Sequence, residues 1–217
     1  MRILNLFSII TITTLLAFIG VPAFGATYYV SPTGNDSAAG TLSQPWKTIN
    51  RALTGRSPGD VVQLQAGATF TENVTVASGG AAGSPVTLTS DPANRATLRQ
   101  SLATKSALYI YNKGHLTFEN LIVTGVGRSL TTKMGIEAYA DNGMYAGLTF
   151  RNVTVTECYR GFQIMGYGSA TYGFDGVLME NCEGSYNRDA GALTWAQAAG
   201  GIRNLTVRDC RDRKSVV

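Results

Sequence analysis

Beyond residue 60 the chain alternates apolar and polar positions in runs of only a few residues. Val61-Val62-Gln63-Leu64, Thr71-Glu72-Asn73-Val74-Thr75-Val76, Val86-Thr87-Leu88 and Leu108-Tyr109-Ile110 are examples, each broken by Gly, Pro or Asp nearby. A period of two in β-branched and aromatic residues predicts short strands. Four later segments align on an asparagine: Leu116-Thr-Phe-Glu-Asn120, Leu148-Thr-Phe-Arg-Asn152, Val177-Leu-Met-Glu-Asn181 and Gly201-Ile-Arg-Asn204, in steps of 32, 29 and 23 residues. After the first three comes a glycine and an alternating strand: Gly135-Ile-Glu-Ala-Tyr-Ala, Gly161-Phe-Gln-Ile-Met-Gly and Gly191-Ala-Leu-Thr-Trp-Ala. Short strands, an Asn turn, a variable loop and a further strand, repeated without a helix, predict one turn of a parallel β-helix per unit. Stacked corners let each Asn amide bond the next. A sandwich would show hairpin dipeptides in register, and Asn142-Gly143 and Asp175-Gly176 read as falling between units.

Alternation also sorts the glycine strands by face. Ile136, Phe162 and Ala192, with Ala138, Ile164 and Thr194, point inward. Glu137, Gln163 and Leu193 form one outward column, and Tyr139, Met165 and Trp195 the next. One stretch reads as helical, a capping segment over about 41–55. Ser43 can cap it, Pro45 suits its first turn, and Trp46, Ile49 and Leu53 share a face. Its expected role is to plug the open apolar end of the solenoid and block edge pairing. The other end predicts no second cap, and its last coil is incomplete. Either another copy covers that face, giving self-association through the uncapped coil, or the sequence is a fragment of a longer reading frame.

Composition narrows the class. Charged residues are 15% of the 217, Gly numbers 25 and apolar content is 44%, which suits strands and turns and speaks against a bundle or a disordered chain. Arg2, the apolar run Ile3–Ile19 and Val21-Pro22-Ala23-Phe24-Gly25-Ala26 predict a signal peptide over 1–25, cut after Gly25. The expected mature domain is 26–217, without a stable membrane span, placed outside the cytoplasm as a secreted, periplasmic or cell-surface protein. Without Arg2 the formal charge of +4 falls to +3. The only basic cluster, Arg211, Arg213 and Lys214, is mixed with Asp209 and Asp212, so no nucleic-acid footprint is expected. Cys158, Cys182 and Cys210 include no Cys-x-x-Cys pair and read as small buried apolar residues, with a disulfide as the alternative.

The stretch Tyr28-Tyr-Val-Ser-Pro-Thr-Gly-Asn-Asp36, then Gly40-Thr-Leu-Ser-Gln-Pro45-Trp-Lys-Thr-Ile49, then Gly59-Asp-Val-Val-Gln-Leu-Gln-Ala-Gly67 resembles the opening of secreted right-handed parallel β-helix proteins. These form the pectate-lyase-like superfamily, with calcium-dependent family-nine polysaccharide lyases among the nearer relatives. The resemblance implies that fold and export; many reactions share such an opening. Asn187-Arg-Asp189-Ala190-Gly191-Ala192-Leu193 is similar to a family-nine run, Asn-x-Asp-Asp-Gly-x-Asp, whose aspartates help to hold catalytic Ca²⁺. Here Ala190 and Leu193 replace two carboxylates, so no metal site is expected from the residues present. The family's lysine base would fall past Val217.

The residues themselves offer Arg160 and Arg188 just before two of the glycines, Asp189 beside them, and outward Glu137, Tyr139 and Trp195. Guanidinium groups fork carboxylates and aromatic rings cover a sugar's apolar side. These six are the candidate substrate-binding residues, for an acidic polysaccharide that is bound or cleaved; no catalytic residue is assigned. Cleavage would be β-elimination, or hydrolysis by paired carboxylates. The alternative is a non-catalytic surface or adhesive scaffold. His115, Lys113 and Lys133 read as turn and loop residues. Asn73, Asn152 and Asn204 match glycosylation sequons, with a ladder role expected for the last two.

Overall fold

The protein is described by a computed structural model over residues 25–213; the signal-peptide expectation for 1–24 lies outside the described residues. The first coil holds β1 (Thr27–Val30) and a short helix, α1 (Ile49–Ala52). The second holds β2 (Val61–Leu64), β3 (Thr69–Thr71) and β4 (Val74–Thr75). The third holds β5 (Val86–Thr89), β6 (Ala96–Arg99) and β7 (Leu108–Tyr111). The fourth holds β8 (Leu116–Thr124) and β9 (Ile136–Ala140), and the fifth β10 (Met144–Thr156) and β11 (Arg160–Gly166). Then follow β12 (Gly173–Glu180), β13 (Glu183–Ser185) and β14 (Ala190–Ala196), and finally β15 (Ile202–Arg208) and β16 (Arg211–Arg213).

Every strand pairing is parallel and in register from coil to coil. Three faces result. The first runs β1-β2-β5-β8-β10-β12-β15, and the second is built of β3, β6, the later halves of β8 and β10, β13 and β16. The third is β4-β7-β9-β11-β14. Inward residues stack on their own kind: Leu116 on Leu148 on Val177, and Phe118 on Phe150 with ring centroids 5.6 Å apart. Burying each such side chain is worth about 1.5–3 kcal/mol, so a repeat that supplies one per inward position in each coil makes a continuous core.

From the fourth coil onward the corner between the first two faces is a left-handed residue: Asn120, Asn152, Asn181 and Asp209, with φ of 57°, 52°, 51° and 54°. Asn tolerates that region because its short polar side chain can bond locally, and Asn152 Nδ2 donates to Asn120 Oδ1 at 2.9 Å. Asn204 is not the fourth corner. Val177 pairs with Leu205, which aligns Asn204 with Gly176, Gly147 and His115 in a second left-handed column. The turn at Asp175-Gly176 therefore recurs in register as a position, although the dipeptide itself does not. Two columns of turns, each tolerant of Asn, made an alignment on asparagine alone slip by five residues in the last unit.

The helix is shorter than expected and begins later. Thr48 caps it, its side chain accepting from Arg51 N, and Asp36 takes Lys47 N, Thr48 N and the Thr48 hydroxyl. Ser43 is not the cap and Trp46 is not helical. Instead Trp46 pairs with Val30 as a parallel bridge and stacks on Tyr28 at 5.0 Å. Competition for the exposed edge of β1 explains this: Trp46 N and O bond Tyr29 O and Ser31 N there, and a helix would leave those groups unpaired. Ile49, Ala52 and Leu53 are buried against the first coil as the pattern requires. The three cysteines are free thiols, and burial pushes those of Cys158 and Cys182 up to about 12.

Candidate functional site

Chemistry-bearing side chains collect on the outer side of the third face. Parallel register there stacks Thr75, Tyr109, Glu137, Gln163 and Leu193 in one column, and Tyr111, Tyr139, Met165 and Trp195 in the next. Glu137 is half-buried and accepts from Ser106 Oγ. It lies in a cleft of ≈ 320 Å³ whose rim carries Lys105 and Lys133 and whose wall is Tyr109. Leu108 pairs with Ile136, so Lys105 and Lys133 occupy equivalent places in adjacent coils. Among the described residues neither ammonium makes an ion pair.

The loops that carry these lysines are held from below. Asn73 Nδ2 donates to the carbonyls of Lys105 and Ser106, both at 3.1 Å, and its Oδ1 accepts Leu102 N at 2.9 Å. The amide of Gln100, almost wholly buried, donates to Lys105 O and to Thr131 Oγ1. Thr131 Oγ1 in turn accepts Lys133 N at 3.0 Å. Buried amides with every group engaged fix a loop far better than solvent-facing ones.

The next coils continue the basic edge differently. Arg160, at the start of β11, gives its Nε to Asp189 Oδ2 and its Nη1 to Gln163 Oε1 at 2.8 Å. Arg188 N bonds Cys158 O, and the Arg188 guanidinium lies 5.8 Å from the Tyr159 ring centroid, which also lies 5.0 Å from that of Arg160. One cation per coil thus stands at the entry edge of the face: Lys105, Lys133, Arg160, Arg188. Arg160 and Asp189 are already paired with each other.

Across the same face runs an aromatic stripe. Successive ring centroids of Tyr109, Tyr111, Tyr139, Tyr167 and Trp195 are 5.9, 6.1, 6.2 and 6.2 Å apart, within the range of offset aromatic pairs. Tyr111, Tyr167 and Trp195 remain 41, 46 and 42% exposed. Burial, and then the charge of Glu137, push the Tyr109 phenol up to about 12. Burial and Asp141 raise Tyr139, and the hydrogen bond to Asp141 raises Tyr111. At neutral pH these phenols are therefore neutral donors.

Of the six candidates, Glu137, Tyr139, Arg160 and Trp195 lie on adjacent strands of this face and Arg188 and Asp189 just before the last of them. Lys105, Tyr109, Tyr111 and Tyr167 were not among them, and Lys133 read only as a loop lysine. Extending the glycine-strand register one unit upstream aligns Leu108-Tyr-Ile-Tyr111 with Ile136-Glu-Ala-Tyr139 and would have found the tyrosines. The lysines sit in loops of unequal length, where alternation gives no signal.

The donor sets limit the chemistry. Calcium wants six to eight oxygens, but Asp189 is occupied by Arg160, and Ala190 and Leu193 offer no side-chain oxygen. These residues do not fit the ion at the place where it was implied, and no group of three potential ligands occurs among the described residues. Within its outward column Glu137 stands between Tyr109 and Gln163, so that column supplies no carboxylate pair of the kind hydrolysis needs.

Residues 28–210 match the profile of a family described as Pel9A-like, right handed beta helix region. A pectate lyase, PEL9, of Emericella nidulans is 30% identical over 161 residues, covering 66% of this chain and 37% of the relative. A rhamnogalacturonan lyase structure superposes with a TM-score of 0.68 at 18% identity, over 87% of this chain and 51% of that one. The structure of pectate lyase Pel9A gives 0.51 at 19% identity, over 77% and 49%. The GH136 lacto-N-biosidase of Eubacterium ramulus gives 0.55 at 18% identity, over 87% and 34%. The chain spans about a third to a half of the length of these proteins, and at such identities the structures share its fold.

Proposed function

Because the chain belongs to the Pel9A-like right-handed β-helix family, we propose that it is an exported carbohydrate-active protein that binds an acidic polysaccharide along its third face. One observation carries this reading: a cation in each of four successive coils beside an aromatic stripe that runs the same way. Coils repeat at about 4.8 Å, so a linear polyanion laid along the solenoid axis meets a new cation at each step. Lys105 and Lys133, unpaired, neutralise carboxylates directly. Arg160, held by Asp189, contributes field more than contact. Neutral phenols donate to hydroxyls, and Trp195 offers apolar cover.

The named relatives support this substrate class, since two are a pectate lyase and a rhamnogalacturonan lyase. For cleavage, a row of cations suits β-elimination, in which a cation stabilises charge on the uronate carboxylate as a base removes the C5 proton. This face accounts for binding and charge neutralisation; the base is not assigned to it. The test is electrophoresis through gels containing polygalacturonate, alginate or pectin, with parallel incubations followed by the ultraviolet absorbance of unsaturated product, each with and without Ca²⁺. Retardation by a polyuronate supports the reading. Equal mobility in all gels and no product would overturn it and favour a scaffold role.

A further inference from the structure

We propose that Asp60 is the seat of a processed N-terminus, holding the ammonium released when the Gly25–Ala26 bond is cleaved. Two unrelated observations meet at one atom. The small-residue pattern ending at Gly25 marks that bond for an export endopeptidase. Independently, Ala26 N lies 2.9 Å from Asp60 Oδ1, and Ala26 O accepts Val61 N at 2.8 Å, so the new terminus is already docked as the first residue of the coil.

The surroundings of Asp60 favour an ammonium over the amide of an uncut chain. Asp60 is only 5% exposed. Its Oδ2 accepts Ser57 N at 2.9 Å and faces Arg56 Nη1 at 3.8 Å, too far for a hydrogen bond. The Arg56 guanidinium is spent on the Tyr28 ring, 3.7 Å from its centroid, and its Nη1 has no hydrogen-bond partner. The ion pair with Arg56 therefore leaves that buried carboxylate without a hydrogen bond from a cation, and a charged donor at Oδ1 makes a stronger bond than an amide does. Cutting supplies that charge.

The step balances simply. Water adds across the Gly25–Ala26 peptide bond, Gly25 leaves with a carboxylate, and the Ala26 amine takes a proton. An α-amine has an ordinary pKa of about 7.7–8.0, so it is charged at neutral pH and its three donors replace one amide N–H. This inference is independent of what the third face binds.

Full-length chain is expressed in an exporting host, and the product's N-terminus is read by intact mass and N-terminal sequencing. A chain beginning at Ala26 is expected; a different mature start overturns the proposal. The exported protein is then compared with the same protein selectively acetylated at its α-amine. Blocking the ammonium is expected to lower the thermal midpoint by about 2–4 °C, and an unchanged midpoint overturns the proposal. Asp60→Asn should abolish the difference between blocked and free chains. If that variant does not fold, the comparison of blocked and free wild type decides.

Discussion

Asn152 carries two burdens in one side chain: a left-handed backbone at φ 52° and the bond to Asn120. Left-handed φ costs an ordinary residue about 1–2 kcal/mol, and a lost hydrogen bond costs about 1 kcal/mol. Asn152→Ala should therefore destabilise by about 2–3 kcal/mol and Asn152→Gly by clearly less, as read in urea denaturation midpoints. Equal losses would mean that backbone conformation is not what this corner demands. Tyr109 makes a pH prediction. Its proton is held more tightly in the folded chain, with the phenol raised from 10.0 to about 12. The stability it contributes is present below pH 10 and fades as pH rises from 10 through 12. Phenolate absorbance in the wild type, compared with Tyr109→Phe, should show one tyrosine ionising last. At this scale the corner residues were legible because asparagine is chemically suited to the turn, yet the same tolerance put Asn204 in the wrong column. Residue type named the kind of turn; only the register of Val177 against Leu205 says which turn it is.

Among elements, the strands of the third face depend on their leading glycines for a reason of space. A Cβ on Gly161 would lie 2.3 Å from Gly191 O, backbone of the next coil. Gly161→Ala should cost more than 2 kcal/mol, in the range of overpacked core sites, and lower the thermal midpoint with no change at the lysine cleft. Alternation revealed these strands and their inward and outward columns, because a half-buried strand prints period two on its sequence. The capping segment was less legible. Pro45 and Ser43 carry ordinary helix-start signals, but the open edge of β1 claims Trp46 for strand pairing, and no local pattern reports an unpaired edge elsewhere in the chain. The loop lysines were hidden for a similar reason. Lys105 and Lys133 are placed by buried Gln100 and Thr131 and by Asn73, and the contacts that tie one coil to the next, Asn73 to Lys105 and Gln100 to Thr131, join residues 32 and 31 apart in sequence.

At the scale of the molecule, a solenoid turns sequence repetition into a surface with a fixed step. Like side chains recur at every coil, which builds the aromatic stripe, and the loops add one cation per coil beside it. Binding by such a row is additive and screened by salt. Longer oligouronates should bind more tightly than short ones, and retardation should fall steeply as salt rises; salt-independent retardation would point to apolar contact alone. Trp195→Ala should weaken retardation without altering its salt dependence. The central claim concerns the two unpaired lysines and is tested most directly by affinity electrophoresis in polygalacturonate, comparing wild type with Lys105→Gln/Lys133→Gln. The account predicts at least about a tenfold rise in apparent Kd for the double variant, roughly 1.4 kcal/mol, with unchanged mobility in a neutral-polysaccharide gel. Equal retardation of the two proteins would contradict it.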